Sequence, residues 1–104
     1  PRFNRKTVLV TVFDQQTQGE SIRFSDFLRR SGINAICYSE AVKIQKQLKF
    51  ADRAGIRYVI ILGPDESKKG QFAIKDLSQS TQHIFNQSTA DQEIKRILDQ
   101  DSCG

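Results

Sequence analysis

A basic amphipathic helix that leads directly into an apolar strand is the feature of this sequence that most constrains its fold. Both elements are predicted within Ser39–Gly63, where Gly55 ends the helix because glycine tolerates the left-handed backbone found at helix C-termini. The run Tyr58–Leu62 is rich in β-branched residues, which is typical of a strand covered on both faces of a sheet. The apolar face of the helix is predicted to contain Ile44, Leu48 and Ala51. A helix packed beside such a strand is a rigid support for the side chains on its other face.

The other face of the predicted helix is cationic. Its basic residues lie three, three and four positions apart and so form one stripe, which consists of Lys43, Lys46, Lys49 and Arg53. Such a stripe is also typical of an ordinary solvated helix face, and the net charge of +4 favours polyanionic partners only modestly. The position of these lysines on a rigid element is more informative than the total charge. We interpret the stripe as a surface that binds RNA.

The length of 104 residues is that of one domain with its own core. We expect a linker remnant at residues 1–6 and a single domain at residues 7–104. Because the sequence begins at Pro1 and not at a methionine, we expect a fragment of a longer chain. No apolar run approaches the roughly 18 residues that a membrane helix needs, and no signal peptide is recognisable. We therefore expect no membrane contact and a cytoplasmic location.

The cysteines and the histidine do not have the pattern of a reactive site. Cys37 and Cys103 lack the spacing of metal ligands, and His83 does not complete a cluster with them on sequence grounds. Unpaired thiols of this kind are typical of a reducing compartment. Cys37 and His83 would form a nucleophile–base pair only if the fold brought them together. We therefore expect neither catalytic residues nor a metal site.

The chain as a whole predicts the order strand–helix–strand–helix–strand–strand–strand–helix. Helices between the first three strands imply parallel pairing, and the closing hairpin adds antiparallel pairing. The predicted fold class is therefore α/β, with three layers and a five-stranded mixed sheet flanked by three helices. The predicted strands are residues 7–13, 33–38, 57–62, 71–77 and 81–85, and the predicted helices are residues 20–31, 40–54 after the N-cap Ser39, and 90–98. Residues 63–66 are predicted to form a turn, and residues 99–104 to fray.

An ordered set of short motifs resembles a known family. The set comprises Tyr38-Ser39-Glu40, Lys43–Asp52, Gly55-Ile56, Tyr58–Gly63, Asp65-Glu66, Gly70 and Ile74–Leu77. Together with the order of elements, it resembles the C-terminal anticodon-binding domain of histidyl-tRNA synthetase, a domain type shared by the class IIa aminoacyl-tRNA synthetases. The resemblance covers residues 8–98 and implies the same five-stranded mixed sheet with three helices.

The resemblance also implies a function. The domain would bind the anticodon loop of histidine tRNA, and a separate catalytic domain of the same chain would use ATP and Mg to form histidyl-adenylate and esterify tRNA. The signature motifs of that catalytic domain are not found in these residues. The anticodon-binding domain itself would need no cofactor, and the parent enzyme would be a homodimer.

Position by position, the resemblance assigns tRNA contacts to Lys43, Lys49, Glu66 and Lys75. Lysines neutralise the phosphates of a single-stranded loop. Other side chains recognise its splayed bases through stacking and hydrogen bonds. Glu66 can only accept hydrogen bonds when ionised, so it would select a donating base edge such as guanine N1–H or N2–H. Alternation along the fourth strand predicts that Lys75 lies on an open sheet face.

Three neighbouring residues add to this candidate site. Lys46 offers a further phosphate contact and Gln47 an amide contact. Phe50 offers a stacking ring, although an aromatic residue at this position is also typical of the edge of a core.

Two other functions remain open. One is a regulatory or partner-binding paralogue that has lost aminoacylation, which only the sequence preceding this domain would distinguish from a synthetase. The other is a small α/β enzyme or nucleotide-binding domain. This second alternative lacks support, because the sequence has no glycine-rich phosphate loop, catalytic dyad or metal-binding cluster.

Overall fold

The computed structural model describes the backbone of residues 6–103 and the side chains of residues 6–99, so most of the predicted linker remnant lies outside the described residues. The strands are β1 Val8–Val10, β2 Ala35–Cys37, β3 Tyr58–Ile61, β4 Gln71–Asp76 and β5 Thr81–Asn86. The helices are α1 Gln18–Arg30, α2 Ile44–Ala54, α3 Pro64–Lys68 and α4 Ala90–Cys103, with a 3₁₀ turn at Gln87–Thr89. The strands form one five-stranded sheet in the order β2-β1-β3-β4-β5.

The mixed sheet predicted from the element order is confirmed. β1 pairs in parallel with both β2 and β3, so that Leu9 lies between Ile36 and Val59. β4 is antiparallel to β3, and β5 is antiparallel to β4. Each connection between the parallel strands contains a helix, as crossovers require. The carboxyl ends of β1, β2 and β3 therefore meet at one end of the sheet.

Helices cover both faces of the sheet, which gives the three predicted layers. The larger apolar cluster joins one face to α1 and α4, and it includes Phe24, Leu28, Phe72, Ile94 and Leu98. The smaller cluster joins the opposite face to α2, and it includes Leu9, Val59 and Ala51. Alternation along β1 explains this division, because Val8 and Val10 point to the first face and Leu9 to the second.

The start of α2 differs from the prediction. The helix begins at Ile44, with Lys43 at the N-cap, so Ser39 lies outside it and does not cap it. The carbonyl of Lys43 accepts from the amides of Lys46 and Gln47 at 3.0 and 3.3 Å. The preceding segment is held as a loop because the carbonyl of Val42 accepts a hydrogen bond from the Gln47 side chain at 2.8 Å. A contact with the body of the helix thus overrides the local capping signal.

The turn predicted at residues 63–66 is a short helix, α3, so four helices and not three accompany the sheet. Pro64 occupies its first turn, where its fixed φ suits a helix and its missing N–H removes no bond. The carboxylate of Glu66 reaches back to accept the Gly63 N–H at 3.3 Å. At the other end of the chain, α4 continues to Cys103 beyond the predicted end at Leu98, since residues 99–103 contain no glycine or proline.

An ion pair between Arg57 and Asp76 fixes the end of the sheet opposite the carboxyl ends of the parallel strands. Two parallel bonds of 2.9 Å join the guanidinium to the two carboxylate oxygens. Asp76 also accepts from the backbone and hydroxyl of Ser78, at 3.0 and 2.9 Å, and so holds the hairpin turn between β4 and β5. Burial alone would raise the pKa of Asp76, but the bonds from Arg57 and Ser78 outweigh it and hold that pKa below its ordinary value.

We expect Asp76→Asn to lower the free energy of unfolding at pH 7 by about 1–3 kcal/mol, since it removes the charge that Arg57 and the turn bind. A carboxyl with a lowered pKa stabilises the fold above its unfolded pKa of about 3.9, and this contribution is lost as pH falls through the lower folded value. Urea unfolding at pH 7 and at about pH 3 should therefore show a difference between wild type and variant that shrinks in acid. Asp52→Asn, at an exposed acid on α2, is the matched control. Equal losses in both variants at pH 7 would contradict a role for this ion pair.

Candidate nucleic-acid interface

Three of the predicted lysines surround one groove on α2. Lys43, Lys46 and Lys49, with Val42 and Gln45, line a shallow groove of about 350 Å³. All three lysines are exposed, and none of them forms an ion pair with another described residue. Their charge is therefore available to an anionic ligand.

The first turn of α2 concentrates positive charge further. The first turns of α1, α3 and α4 each contain acidic residues, which is the arrangement that the helix dipole favours. The first turn of α2 has no acidic residue and begins after Lys43. Its unpaired amides and its lysines thus add to the same positive potential. This arrangement costs stability in the isolated helix and favours an anion at its N-terminus.

Gln47 fixes the position of this turn. Its side chain is fully buried, with 0% exposed. Its Oε1 accepts from the Val12 N–H at 2.9 Å, and its Nε2 donates to the carbonyls of Val12 and Val42, both at 2.8 Å. The Gln47 side chain, which was predicted to contact RNA through its amide, thus points inward and connects α2 to the residues that follow β1. We therefore assign Gln47 a positioning role instead of a place on the surface.

Beside this tie, Phe13 and Gly63 lie next to each other at the carboxyl ends of β1 and β3. Because the chain leaves these neighbouring strands toward different helices, this is the switch point where open α/β sheets bind ligands. Phe13, with 46% of its surface exposed, lies on the β1 side. Gly63 lies on the β3 side, where a Cβ would lie 3.4 Å from the Phe13 ring and 3.2 Å from Glu66 Oε1. Glu66 is half-buried beside them. The switch point therefore combines a partly exposed aromatic ring with a carboxylate.

Phe13 was not predicted as a site residue. Its sequence signal is an aromatic residue at the end of an alternating apolar run, directly before Asp14 and a polar loop. Phe13 can be recognised as a site residue only from its contact with Gly63, and the sequence around Phe13 does not show that contact.

Lys75 lies on the same side of the sheet as α2 but apart from the groove. In β4 it pairs with Val59 of β3, and residues that pair across strands share a face. Val59 packs against α2, so Lys75 points to the α2 side. The open face predicted for this strand is partly covered, because Ala73, on the same face as Lys75, is only 2% exposed. It is half-buried and does not line the α2 groove. Lys75 is thus a second cationic point on this side of the molecule.

Phe50 has a mixed environment. Its ring packs edge-on against Tyr38, with the ring centroids 5.5 Å apart, and part of it is exposed. It therefore closes the rim of the smaller core as well as bordering the lysine stripe.

A larger cavity, of about 470 Å³, lies elsewhere, between α1 and α3. Glu20 and Arg23 line it above a floor that contains Phe24, and Glu20 accepts a hydrogen bond from Ser67. A carboxylate at the rim repels phosphates, so this cavity is less suited to a polyanion than the α2 groove despite its size.

The fold excludes a nucleophile–base pair between Cys37 and His83. Cys37 lies in β2 and His83 in β5, at opposite edges of the sheet. Four strand spacings of roughly 4.8 Å separate them by about 19 Å. Burial raises the pKa of the Cys37 thiol, although Ser25 and Arg29 oppose this effect, so its reactive thiolate is disfavoured.

Among the side chains of residues 6–99, no cluster of histidine, cysteine, aspartate or glutamate has the make-up of a metal site. In the same part of the chain, no helix combines the length and the apolar character needed to cross a membrane.

The fold and the site together define an α/β domain with a cationic groove on its α2 side. The chain belongs to the anticodon-binding domain family, because the family model described as "Anticodon binding domain" matches residues 6–99.

Several curated relatives of this chain are histidine–tRNA ligases. The chain is 39% identical to the Xylella fastidiosa enzyme over 74 residues, which are 71% of this chain and 16% of that enzyme. It is 33% identical to the Archaeoglobus fulgidus enzyme over 93 residues, which are 89% of this chain and 22% of that enzyme. The chain therefore spans only about a fifth of the length of these relatives.

Solved structures agree with this assignment. Histidyl-tRNA synthetase from Nostoc sp. PCC 7120 superimposes with a TM-score of 0.86 and 30% identity, covering 91% of this chain and 23% of that one. The RNA-binding domain of threonyl-tRNA synthetase from Cryptosporidium parvum shares the fold, with a TM-score of 0.78 and 13% identity over 88% of this chain and 23% of that one.

We expect Gln47→Ala to lower the free energy of unfolding by about 2–4 kcal/mol, because it leaves the buried backbone groups of Val12 and Val42 without partners. Gln45→Ala, at an exposed position on the same helix, should change it by less than about 0.5 kcal/mol. Urea denaturation followed by circular dichroism measures both. Similar values for the two variants would show that the Gln47 tie does not stabilise the domain.

Proposed function

We propose that this chain is the tRNA anticodon-loop binding module of a histidine–tRNA ligase. The observation that carries the proposal is the group of three exposed lysines, without ionic partners among the described residues, around one groove at the N-terminus of α2. Membership of the anticodon-binding domain family makes tRNA the polyanion to test first. The histidine–tRNA ligases among the relatives make histidine tRNA the first choice of substrate.

In the proposed complex, lysines contact the phosphates of the loop and other side chains contact its bases. Lys43, Lys46 and Lys49 neutralise the backbone of the loop on one part of the α2 side, and Lys75 adds a contact nearer β4. A splayed base stacks on the exposed face of Phe13 at the switch point.

In this scheme, Glu66 recognises a base by accepting a hydrogen bond from it. One carboxylate oxygen is held by the Gly63 N–H, and the other has no hydrogen-bond partner among the described residues. The second oxygen accepts from a donating base edge, such as guanine N1–H or N2–H. The fixed first oxygen limits the rotation of the group, so the acceptor is preorganised.

The proposal extends to the parent protein. A catalytic domain outside these residues would carry out histidylation of tRNA with ATP and Mg, and this domain would need no cofactor of its own. The parent would be a cytoplasmic homodimer. These statements follow the relatives, of which this chain spans only a small part.

We expect tight binding of a histidine anticodon stem–loop at low salt and a steep loss of affinity as salt rises. With about four phosphates neutralised, the slope of log K against log salt for a single-stranded loop is near −3. Filter binding over a KCl series measures this slope, with a stem–loop of scrambled anticodon as the control. A slope near zero would contradict electrostatic binding, and equal affinity for both stem–loops would contradict reading of the anticodon.

We expect Lys43→Ala and Lys75→Ala each to weaken stem–loop binding about threefold to tenfold and to make the salt slope shallower by about 0.7. Thermal unfolding should be unchanged, since neither lysine forms an ion pair with a described residue. Lys95→Ala, at an exposed lysine of α4 on the opposite side of the sheet, is the matched control. Unchanged affinity in both test variants, or an equal loss in the control, would place the interface elsewhere.

A further inference from the structure

The outer edge of β5 is the most unusual surface outside the proposed interface. β5 is the last strand of the sheet, and no strand within residues 6–103 pairs with its outer edge. It belongs to a stretch, residues 77–90, that contains no aspartate, glutamate, lysine or arginine, although such residues make up 27% of the chain. Ile84, in the middle of the strand, has 59% of its surface exposed, more than any other large hydrophobic residue described.

The ladder shows which backbone groups face outward. The Gln87 N–H donates to the Gly70 carbonyl at 2.8 Å, directly opposite it in register. Hydrogen-bonded pairs alternate along an antiparallel ladder, so Thr81, His83 and Phe85 exchange their bonds with β4. The intervening residues therefore direct both N–H and C=O outward, and these residues are Gln82, Ile84 and Asn86.

This edge has none of the features with which proteins block edge pairing. Charged side chains, proline and bulges are the usual protections, because an open edge is a template for another strand. β5 contains no charged residue, no proline and no glycine. All six of its residues pair with β4 in unbroken register, so no bulge twists the edge away. The edge is thus straight, uncharged and apolar at its centre.

We propose that β5 pairs antiparallel with β5 of a second copy of this chain, about a two-fold axis at Ile84. In this register Ile84 lies opposite Ile84 of the second copy, and Gln82 lies opposite Asn86. All the outward N–H and C=O groups of the three residues are then bonded across the axis. An axis at His83 would leave Asn86 without a partner, so the register at Ile84 is preferred.

The side chains suit this self-pairing. In β5, Ile84 pairs with Ala73 of β4, which pairs with Ile61 on the α2 side of the sheet. The two Ile84 side chains therefore meet on that side, and the Gln82 and Asn86 amides flank them. No like charges meet at the contact, so the net charge of +4 does not oppose it locally.

The expected association is weak. A six-residue strand is roughly 20 Å long, and one strand pair buries less surface than a stable interface needs. We expect a dissociation constant on the order of 100 µM. The proposal concerns this domain alone and does not depend on tRNA binding, so either can fail without the other.

Sedimentation velocity of the 104-residue chain, from about 10 µM to about 1 mM, tests the proposal. The wild type should shift from monomer to dimer, whereas Ile84→Lys should stay monomeric, because it places two ammonium groups at the axis. Ile22→Lys is the matched control, since Ile22 is an isoleucine of α1 with 45% of its surface exposed. Dimerisation of the control but not of Ile84→Lys supports the proposal. A wild type that stays monomeric, or an Ile84→Lys variant that dimerises as the wild type does, overturns it.

A cross-link tests the register even if Ile84→Lys folds poorly. Hydrogen-bonded antiparallel pairs have Cα atoms about 5.5 Å apart, which is too wide at Cβ for an unstrained disulfide but within reach of a short bismaleimide. In a background in which Cys37 and Cys103 are replaced by serine, Ile84→Cys should form a covalent dimer with this reagent. Ile22→Cys should yield much less of it. Equal yields for the two variants, or none for either, overturn the proposed register.

Discussion

The hydrogen bonds of one buried amide determine where the cationic side of this domain lies. Gln47 binds the backbone of Val12 in both directions and also the carbonyl of Val42. The bonds to Val12 connect the first turn of α2 to the residues that follow the interior strand β1, across 35 residues of sequence. Without them, the lysines of α2 would lie on a helix held only by the smaller apolar cluster. A polar group inside the fold thus positions the charged groups outside it.

The charges of the domain serve two different purposes. Three ion pairs use arginine, and they are Arg29–Asp26, Arg57–Asp76 and Arg96–Glu93. Arginine suits this role because its planar fork binds a carboxylate through two parallel bonds, as Arg57 does. The lysines around the α2 groove form no such pair with described residues. Their flexible ammonium groups remain hydrated and suit phosphates that are not held in one geometry.

Much of the fold could be predicted because its signals are local. The order of elements along the chain, the parallel and antiparallel pairing and the two-sided core follow from apolar periodicity and from the rule that crossovers need helices. The spatial order of the strands was not predicted. The predictions that were wrong concern the start of α2, the short helix α3 and the end of α4. The start of α2 at Ile44 depends on the tie between Gln47 and Val42. A local capping rule favoured Ser39, because nothing near it in sequence shows that the loop is held elsewhere.

The candidate site was predictable in its charges but less so in its shape. Grouping of Lys43, Lys46 and Lys49 follows from helical spacing, whereas the separate position of Lys75 depends on sheet register. The contact between Phe13 and Gly63 joins residues 50 positions apart, so no local pattern contains it. The inward direction of Gln47 was likewise hidden, because glutamine is usually exposed.

The side of the sheet on which α2 lies has a consequence for any assembly through β5. A two-fold axis that continues a sheet runs perpendicular to it, so both copies keep the same face on the same side. Two α2 grooves would then face one direction across a ten-stranded sheet. A weak edge contact would thereby give bivalency: once one copy holds an RNA, the second meets any adjoining loop at a high effective concentration. Avidity of this kind would depend on the spacing of loops in the RNA and not on any new contact within either copy.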